Sequence, residues 1–365
     1  MKLSKSLFLF AVVPSSTAFV PSNRLANTGV KSSTTLSMSA ALIVQNKGGG
    51  HGELGYQLAK NLSGNPKITS ITILQDDACN DEKEPFNLYD SDLPDVTIVK
   101  ATLSDESMTA ADLQSLLGGQ SFEYVWDNAS KAPEGSGKAI CDSAKNWGCK
   151  VFTYVSSAGM YTPTEDTVFP MAETTPIKDS AGQAKFDAYA AQLGLPLVSF
   201  RPQYIYGPKS NKYDYIDWYF DRIVRGEPLP IPSPGSQKVS LTNSEDVASL
   251  LASVLNNEDA AIEQRFFNCG TDDLVSYDEV ASMCAEAAGV SDFTIEHYDP
   301  TKGKAKFPFR LTDFYVAPDA AKAKLGWGGP KSSLKSDLGW YYDGYKSRGG
   351  ADKELDLSAD KEVLA

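Results

Sequence analysis

The chain has 365 residues, enough to bury a large core, and its composition is ordinary for a soluble globular protein. Its net charge of −13 understates the acidity, because residues 1–40 hold Lys2, Lys5, Arg24 and Lys31 and no acid, leaving 30 bases against 47 acids in the rest. That balance argues against bulk attraction to nucleic acid, so any RNA contact needs a local basic patch. Five cysteines with no C-x-x-C pair argue against a disulfide framework, and two histidines, His51 and His297, argue against a His-rich zinc site.

At the N-terminus, MKLSKSLFLFAVVPSSTAFVPS starts basic, runs apolar from Leu7 to Val13 and places small residues before Ala18, as a signal peptide does. FVPSNRLANTGVKSSTTLS follows, rich in Ser and Thr and free of acids, like a plastid transit peptide. The pair resembles the bipartite presequence of algae with complex plastids. Residues 1–40 are therefore expected to deliver the chain to the plastid stroma and to be removed close to Met38–Ala41; the alternative is a buried N-terminal helix. No later segment is apolar enough to cross a membrane.

Residues 41–55, ALIVQNKGGGHGELG, are the most informative stretch. A short apolar strand, then Gly49, Gly52 and Gly55, then a helix-like run, make the turn that dinucleotide-binding domains use. Glycines let the backbone turn sharply and approach a pyrophosphate, and a helix N-terminus offers it unpaired N–H groups. The glycines can equally serve close helix–strand packing alone. Strand-like runs follow at 68–74, 95–101, 122–128, 150–157 and 196–202, with helix-like runs at 52–62, 109–117, 136–147 and 179–193. This alternation predicts an α/β fold, a Rossmann-type doubly wound parallel sheet over 41–203. Asp76 and Asp77 follow the second strand, where an acid would bind the ribose hydroxyls and favour NAD over NADP, or simply open an exposed loop.

From Tyr204 the texture becomes aromatic and proline-rich. Helices at 244–256, 276–288 and 318–325 and strands at 265–269 and 293–298 predict a smaller C-terminal α/β lobe over 204–350. It should lie across the carboxyl ends of the strands, where such sheets place ligands. Residues 351–365 read as a charged, frayed tail.

VFTYVSSAGMY, FRPQYIYGP and SLTNSEDVA, in this order, resemble segments of the extended short-chain dehydrogenase/reductases, the nucleotide-sugar epimerase and dehydratase relatives. GGGHGELG, PFN at 85–87, SSAGMY, FRPQYIYG, WYFDRIVRGEPLPIPSPG, FNCG and HYDP resemble, more specifically, the chloroplast stem-loop-binding proteins of that superfamily. The resemblance runs from about residue 41 to about 345. It implies plastid RNA as partner (stem-loop mRNA or rRNA), ribosome association, and an endoribonuclease activity.

Dehydrogenases of the superfamily pair a Ser with a Tyr acid/base and a Lys four residues after that Tyr. Here Ser157 holds the Ser position and Lys185 is the lysine candidate, but Ala181 stands where the tyrosine belongs. Tyr161 is the hydroxyl that can substitute, although its place after the serine pair normally serves packing. Ordinary hydride chemistry therefore reads as lost. Asp127 ends the fourth strand at the cleft edge and joins the cofactor candidates. With Asp246 and the acids of 214–221 it is also a candidate for Mg²⁺; Asp246 can instead cap a helix. The basic patch is TKGKAKFPFR: Lys302, Lys304, Lys306 and Arg310 for phosphates, and Phe309 for an unpaired base. Its alternative is a solvated loop with both Phe packed inward. Arg222 and Arg225, three apart on one helix, can extend it. The leading reading is a plastid RNA-binding protein. The alternatives are an NAD-dependent epimerase, dehydratase or reductase, and a structural partner of ribosome or transcript complexes.

Overall fold

The computed structural model describes residues 39–48, 52–303 and 305–365. The expected presequence, apart from its last two residues, lies outside the described residues, as do Gly49, His51 and Lys304.

The first half runs β1 (Ala40–Gln45), α1 (Leu54–Ser63), β2 (Ser70–Asp76), α2 (Tyr89–Asp92) and β3 (Val96–Ala101). It continues through α3 (Ala110–Leu116), β4 (Tyr124–Asp127), α4 (Gly135–Trp147), β5 (Val151–Val155), α5 (Gly182–Gln192) and β6 (Leu197–Pro202). The second half opens with β7 (Ile205–Tyr206), α6 (Asp214–Ile223), β8 (Leu229–Pro232), β9 (Lys238–Val239), β10 (Thr242–Asn243) and α7 (Ser244–Ala252). Then come α8 (Glu258–Gln264), β11 (Phe266–Cys269), β12 (Val275–Ser276), α9 (Tyr277–Ala288) and β13 (Ile295–Tyr298). It closes with α10 (Asp319–Leu325), α11 (Leu334–Ser347) and α12 (Ser358–Leu364).

The central sheet has the order β11-β6-β5-β4-β1-β2-β3 and every pairing in it is parallel. Successive residues of β1 serve opposite faces: Ile43 packs with Leu54, Leu58 and Leu251, Leu42 and Val44 with Leu113, Ile140 and Phe186. Both faces are covered, so β4, β5 and β6 are buried along their whole length, as parallel strands require. The chain order reverses between β1 and β4, whose register aligns Val44 with Asp127. A ligand crevice opens at such a switch point.

The expected boundary at 203/204 is not a clean cut. β11 returns to pair with β6, and Val247, Leu251, Ala321 and Leu325 complete the core under β1 and β2. The remainder of the second half does form its own core, of Trp218, Tyr219, Phe220, Tyr277, Phe307 and Tyr341 among others. The frayed tail is also corrected. α12 packs on β8 and β13, and Asp360 takes two hydrogen bonds from the buried Arg222 guanidinium, at 2.7 and 2.9 Å. Arg222 lies 3.8 Å over the Trp218 ring, and Arg225 donates to the carbonyls of Gly350, Ala351 and Lys353. Both arginines are thus committed to holding the C-terminus and do not extend a basic surface.

Candidate functional site

Two cavities lie at the carboxyl ends of the parallel strands. The larger, about 1000 Å³, opens beyond β1, β2 and β4 and is lined by Lys47, Gly48, Asp76, Ser130, Lys131 and Asn211, among others. Gly48, at the start of the glycine turn, lies in its wall. A Cβ on Gly52 would stand 2.6 Å from Gly48 Cα and 3.2 Å from Asn211 Oδ1, so only glycine fits. At Gly55 a Cβ would collide with the Gln45 side chain. Gln45 reaches from the end of β1 into the turn: its Oε1 accepts the Gly55 N–H at 3.0 Å and its Nε2 donates to the Gly52 carbonyl. Gly55 therefore serves close helix–strand packing.

Glu53, at the N-cap of α1, was not anticipated from sequence. It is fully buried, and its Oε1 accepts from Gln57 Nε2 at 2.6 Å. Its Oε2 and Ser244 Oγ converge on Gly207, where a Cβ would collide with both. Burial pushes the Glu53 carboxyl up to about 7, against the lowering effect of the Gln57 and Ser244 hydrogen bonds.

Asp76 faces the large cleft, with Oδ1 accepting the Ala78 N–H at 3.1 Å. Asp77 is exposed and accepts the Thr102 hydroxyl at 2.5 Å. Asp127 does not line the cleft. It is wholly buried and its Oδ1 accepts the N–H groups of Ala129 and Ser130, folding the turn after β4; burial raises its carboxyl above the usual range. The expected Mg²⁺ site is not assembled. Asp246 accepts the N–H groups of Lys331 and Ser332, Asp217 pairs with Arg348, and Asp221 with Arg225 and Lys353. Among the described residues no three His, Cys, Asp or Glu side chains are grouped to hold a metal.

The smaller cavity, about 300 Å³, opens beyond β5 and β6. Ser157, Gln203, Tyr204, Lys212, Tyr215 and Arg310 are among its walls. Ser157 Oγ accepts the Gly159 N–H at 3.0 Å. The other positions of the expected triad do not line the cavity. Ala181 is the N-cap of α5, and Lys185, one turn on, is exposed and lines neither cavity. Tyr161 is buried, its hydroxyl held between Arg201 at 2.9 Å and Asn268 at 2.7 Å. Burial pushes that hydroxyl up to about 12, although Arg201 pulls the other way.

The 302–310 segment divides. Lys302 is exposed, whereas Lys306 pairs with Asp356 at 2.9 Å. Phe307 and Phe309 are buried against Trp218, Tyr219 and Tyr277, so Phe309 offers no face to a base. Arg310 turns to the small cavity, donating to the Gly159 carbonyl at 2.7 Å with its guanidinium 3.9 Å over Phe314. It has no acidic partner among the described residues.

Residues 48–270 match the model of the NAD dependent epimerase/dehydratase family. A chloroplast stem-loop binding protein of 41 kDa from Arabidopsis thaliana is 32% identical over 261 residues, 69% of this chain and 66% of that protein's length. Among solved structures, UDP-glucose 4-epimerase from Thermotoga maritima, with UDP-glucose, superposes with a TM-score of 0.63 at 19% identity, over 85% of this chain and 99% of that one. dTDP-glucose 4,6-dehydratase from Bacillus anthracis, in complex with NAD, gives 0.65 at 16% identity, over 86% and 98%. At such identities these two structures establish the fold alone.

Proposed function

The chain belongs to the NAD dependent epimerase/dehydratase family, and from that premise we propose that it works as a plastid RNA-binding protein and not as a hydride-transfer enzyme. The observation that carries this reading is the corner around Ser157. It keeps a cavity but not the family's proton carrier: Ala181, at the tyrosine position, has no ionisable group, Lys185 is exposed to solvent, and Tyr161 is locked between Arg201 and Asn268. General acid–base catalysis needs a group within reach of the reacting proton and with a matched pKa. The RNA half of the reading draws on the Arabidopsis relative, which is named for binding a stem-loop.

The large cleft fits NAD. Gly48 lies in its wall, Asp76 is placed for ribose hydroxyls, and Gly52 and Gly55 shape the turn. When bound, NAD would supply hydride exchange. Asn211, packed on Gly48 and Gly52, would orient the pyrophosphate, and buried Glu53 beside the helix N-terminus would disfavour it when ionised.

The test is one preparation of the full chain examined twice. Titration of a labelled stem-loop RNA at several salt concentrations should show salt-sensitive binding. Incubation with NAD and sugar nucleotides should show no steady-state turnover. Turnover would return the chain to the enzymes of its family, and absence of RNA binding at low salt would favour a structural partner of transcript complexes.

A further inference from the structure

We propose that the small cavity between Ser157 and Arg310 seats one unpaired nucleotide of the RNA, its phosphate between Lys212 and Arg310 and its base against Tyr204 and Tyr215. This deepens the RNA-binding reading and rests on it.

Four independent features meet in this cavity. The first is charge. Arg310 has its guanidinium at the cavity with no acid beside it among the described residues, and Lys212 lies 3.9 Å from Asp214 with its ammonium 4.8 Å over the Tyr215 ring. In a chain with so large an excess of acids, two under-neutralised cations at one opening make a local anion site. The second is aromatic surface. Tyr204 and Tyr215 meet edge to face with centroids 5.1 Å apart, and Phe314 closes the wall under Arg310. Such rings accept a base without regard to its identity.

The third is an unmet acceptor. Gln203 is buried, and its Nε2 is spent on the Phe314 carbonyl, while its Oε1 has no hydrogen-bond partner. A buried acceptor without a partner is costly. The fourth is strain. Tyr204 has φ +39°, a conformation that a bulky L-residue adopts only when its surroundings impose it. Its hydroxyl accepts the backbone N–H of Arg310 at 3.2 Å, which fixes the ring against that backbone. A volume of about 300 Å³ suits one nucleotide and not a duplex.

The position also separates this site from the 302–310 lysines, because Lys306 is neutralised by Asp356 and Phe309 is buried. Recognition of a splayed-out nucleotide is how proteins commonly read RNA loops, and an acidic protein that repels the duplex backbone would have to bind in that way.

The experiment uses the full chain and a labelled hairpin RNA with an unpaired loop, titrated across a salt series. Wild type is compared with Lys212→Ala, Arg310→Lys, Lys212→Ala/Arg310→Ala, Tyr215→Ala and, as a control, Lys302→Ala/Lys306→Ala. Thermal melts report that each variant is folded. The double cavity variant should bind at least about tenfold more weakly, with the log–log salt slope flatter by about 0.7 for the one lost phosphate contact. Tyr215→Ala should weaken binding at every salt concentration, Arg310→Lys should retain most of it, and the control should stay within about twofold of wild type. A blunt duplex without unpaired nucleotides should bind no better than hairpin RNA binds to the double variant. If wild type binds the hairpin and the folded double variant binds it equally, the cavity proposal fails while the RNA-binding reading stands. Equal affinity for blunt duplex has the same meaning, as does a free nucleoside monophosphate that competes without any variant changing hairpin affinity. If wild type binds no RNA at low salt, the reading itself falls and takes the cavity proposal with it.

Discussion

The Tyr161 hydroxyl accepts a hydrogen bond from the Arg201 guanidinium at 2.9 Å, and Arg201 in turn lies against the Tyr161 and Phe266 rings. Both side chains are buried, and the same Arg201 nitrogen also donates to the Glu173 carbonyl at 3.1 Å. The pair joins the end of β6 to the segment after β5, and through Asn268 to β11. It makes Tyr161 a fastener of the sheet edge. A hydroxyl tied in this way, with its pKa pushed up to about 12, does not exchange protons near neutrality.

Tyr161→Phe should therefore behave as a stability variant. It removes the acceptor for Arg201 and the donor for Asn268, and leaving such groups unpaired should cost about 1–3 kcal/mol in urea unfolding. RNA affinity of the folded variant should be unchanged.

Glu53 gives a pH dependence with a definite sign. Its folded-state carboxyl is raised from 4.5 to about 7, so between those values the folded chain holds a proton that the unfolded chain has lost. Stability therefore falls as pH rises through that window and levels off above it. Glu53→Gln keeps the shape without the charge. Its stability relative to wild type should climb from pH 5 to pH 7 by an amount on the order of 2 kcal/mol, then level off by pH 8. Parallel unfolding curves at all pH values would contradict this.

Asp360→Ala should leave the Arg222 guanidinium buried without its carboxylate. Breaking one side of a buried pair costs about 3–5 kcal/mol, and the loss should be visible in thermal unfolding of the full chain. Limited proteolysis should then cut within 351–365, a segment that wild type protects.

Gly55→Ala forces a methyl group into the Gln45 side chain. Overpacking of this kind costs about 1–3 kcal/mol, and NAD affinity measured by calorimetry should fall as the turn shifts. Adding Gln45→Ala should recover much of the stability, because the colliding atoms are gone.

Much of this arrangement was legible in the linear chain. Short apolar strands alternating with helical runs, and glycines spaced three apart after the first strand, led directly to the parallel sheet. These are local signals, carried by neighbouring residues in each element. Ala181 at the tyrosine position was equally visible, since it needed only spacing from Lys185. The chain's acid excess also showed that RNA contact had to be local.

Tertiary structure decided the rest, because it depends on which distant side chains meet. Gln45 fills the glycine turn, and Glu53 meets Ser244 across 191 positions of sequence, with no motif to announce either. Asp127 looked like a cleft residue and is instead enclosed by its own turn. Phe309 read as a stacking ring and packs inward, while Arg310, next to it, faces the opposite environment. The tail read as frayed because it is highly charged; more than 120 residues earlier, Arg222 pairs with Asp360 and Arg225 ties the carbonyls of Gly350, Ala351 and Lys353. Periodicity determined the scaffold, and the burial and pairing of single polar groups, a property of the folded chain alone, determined what the scaffold can bind.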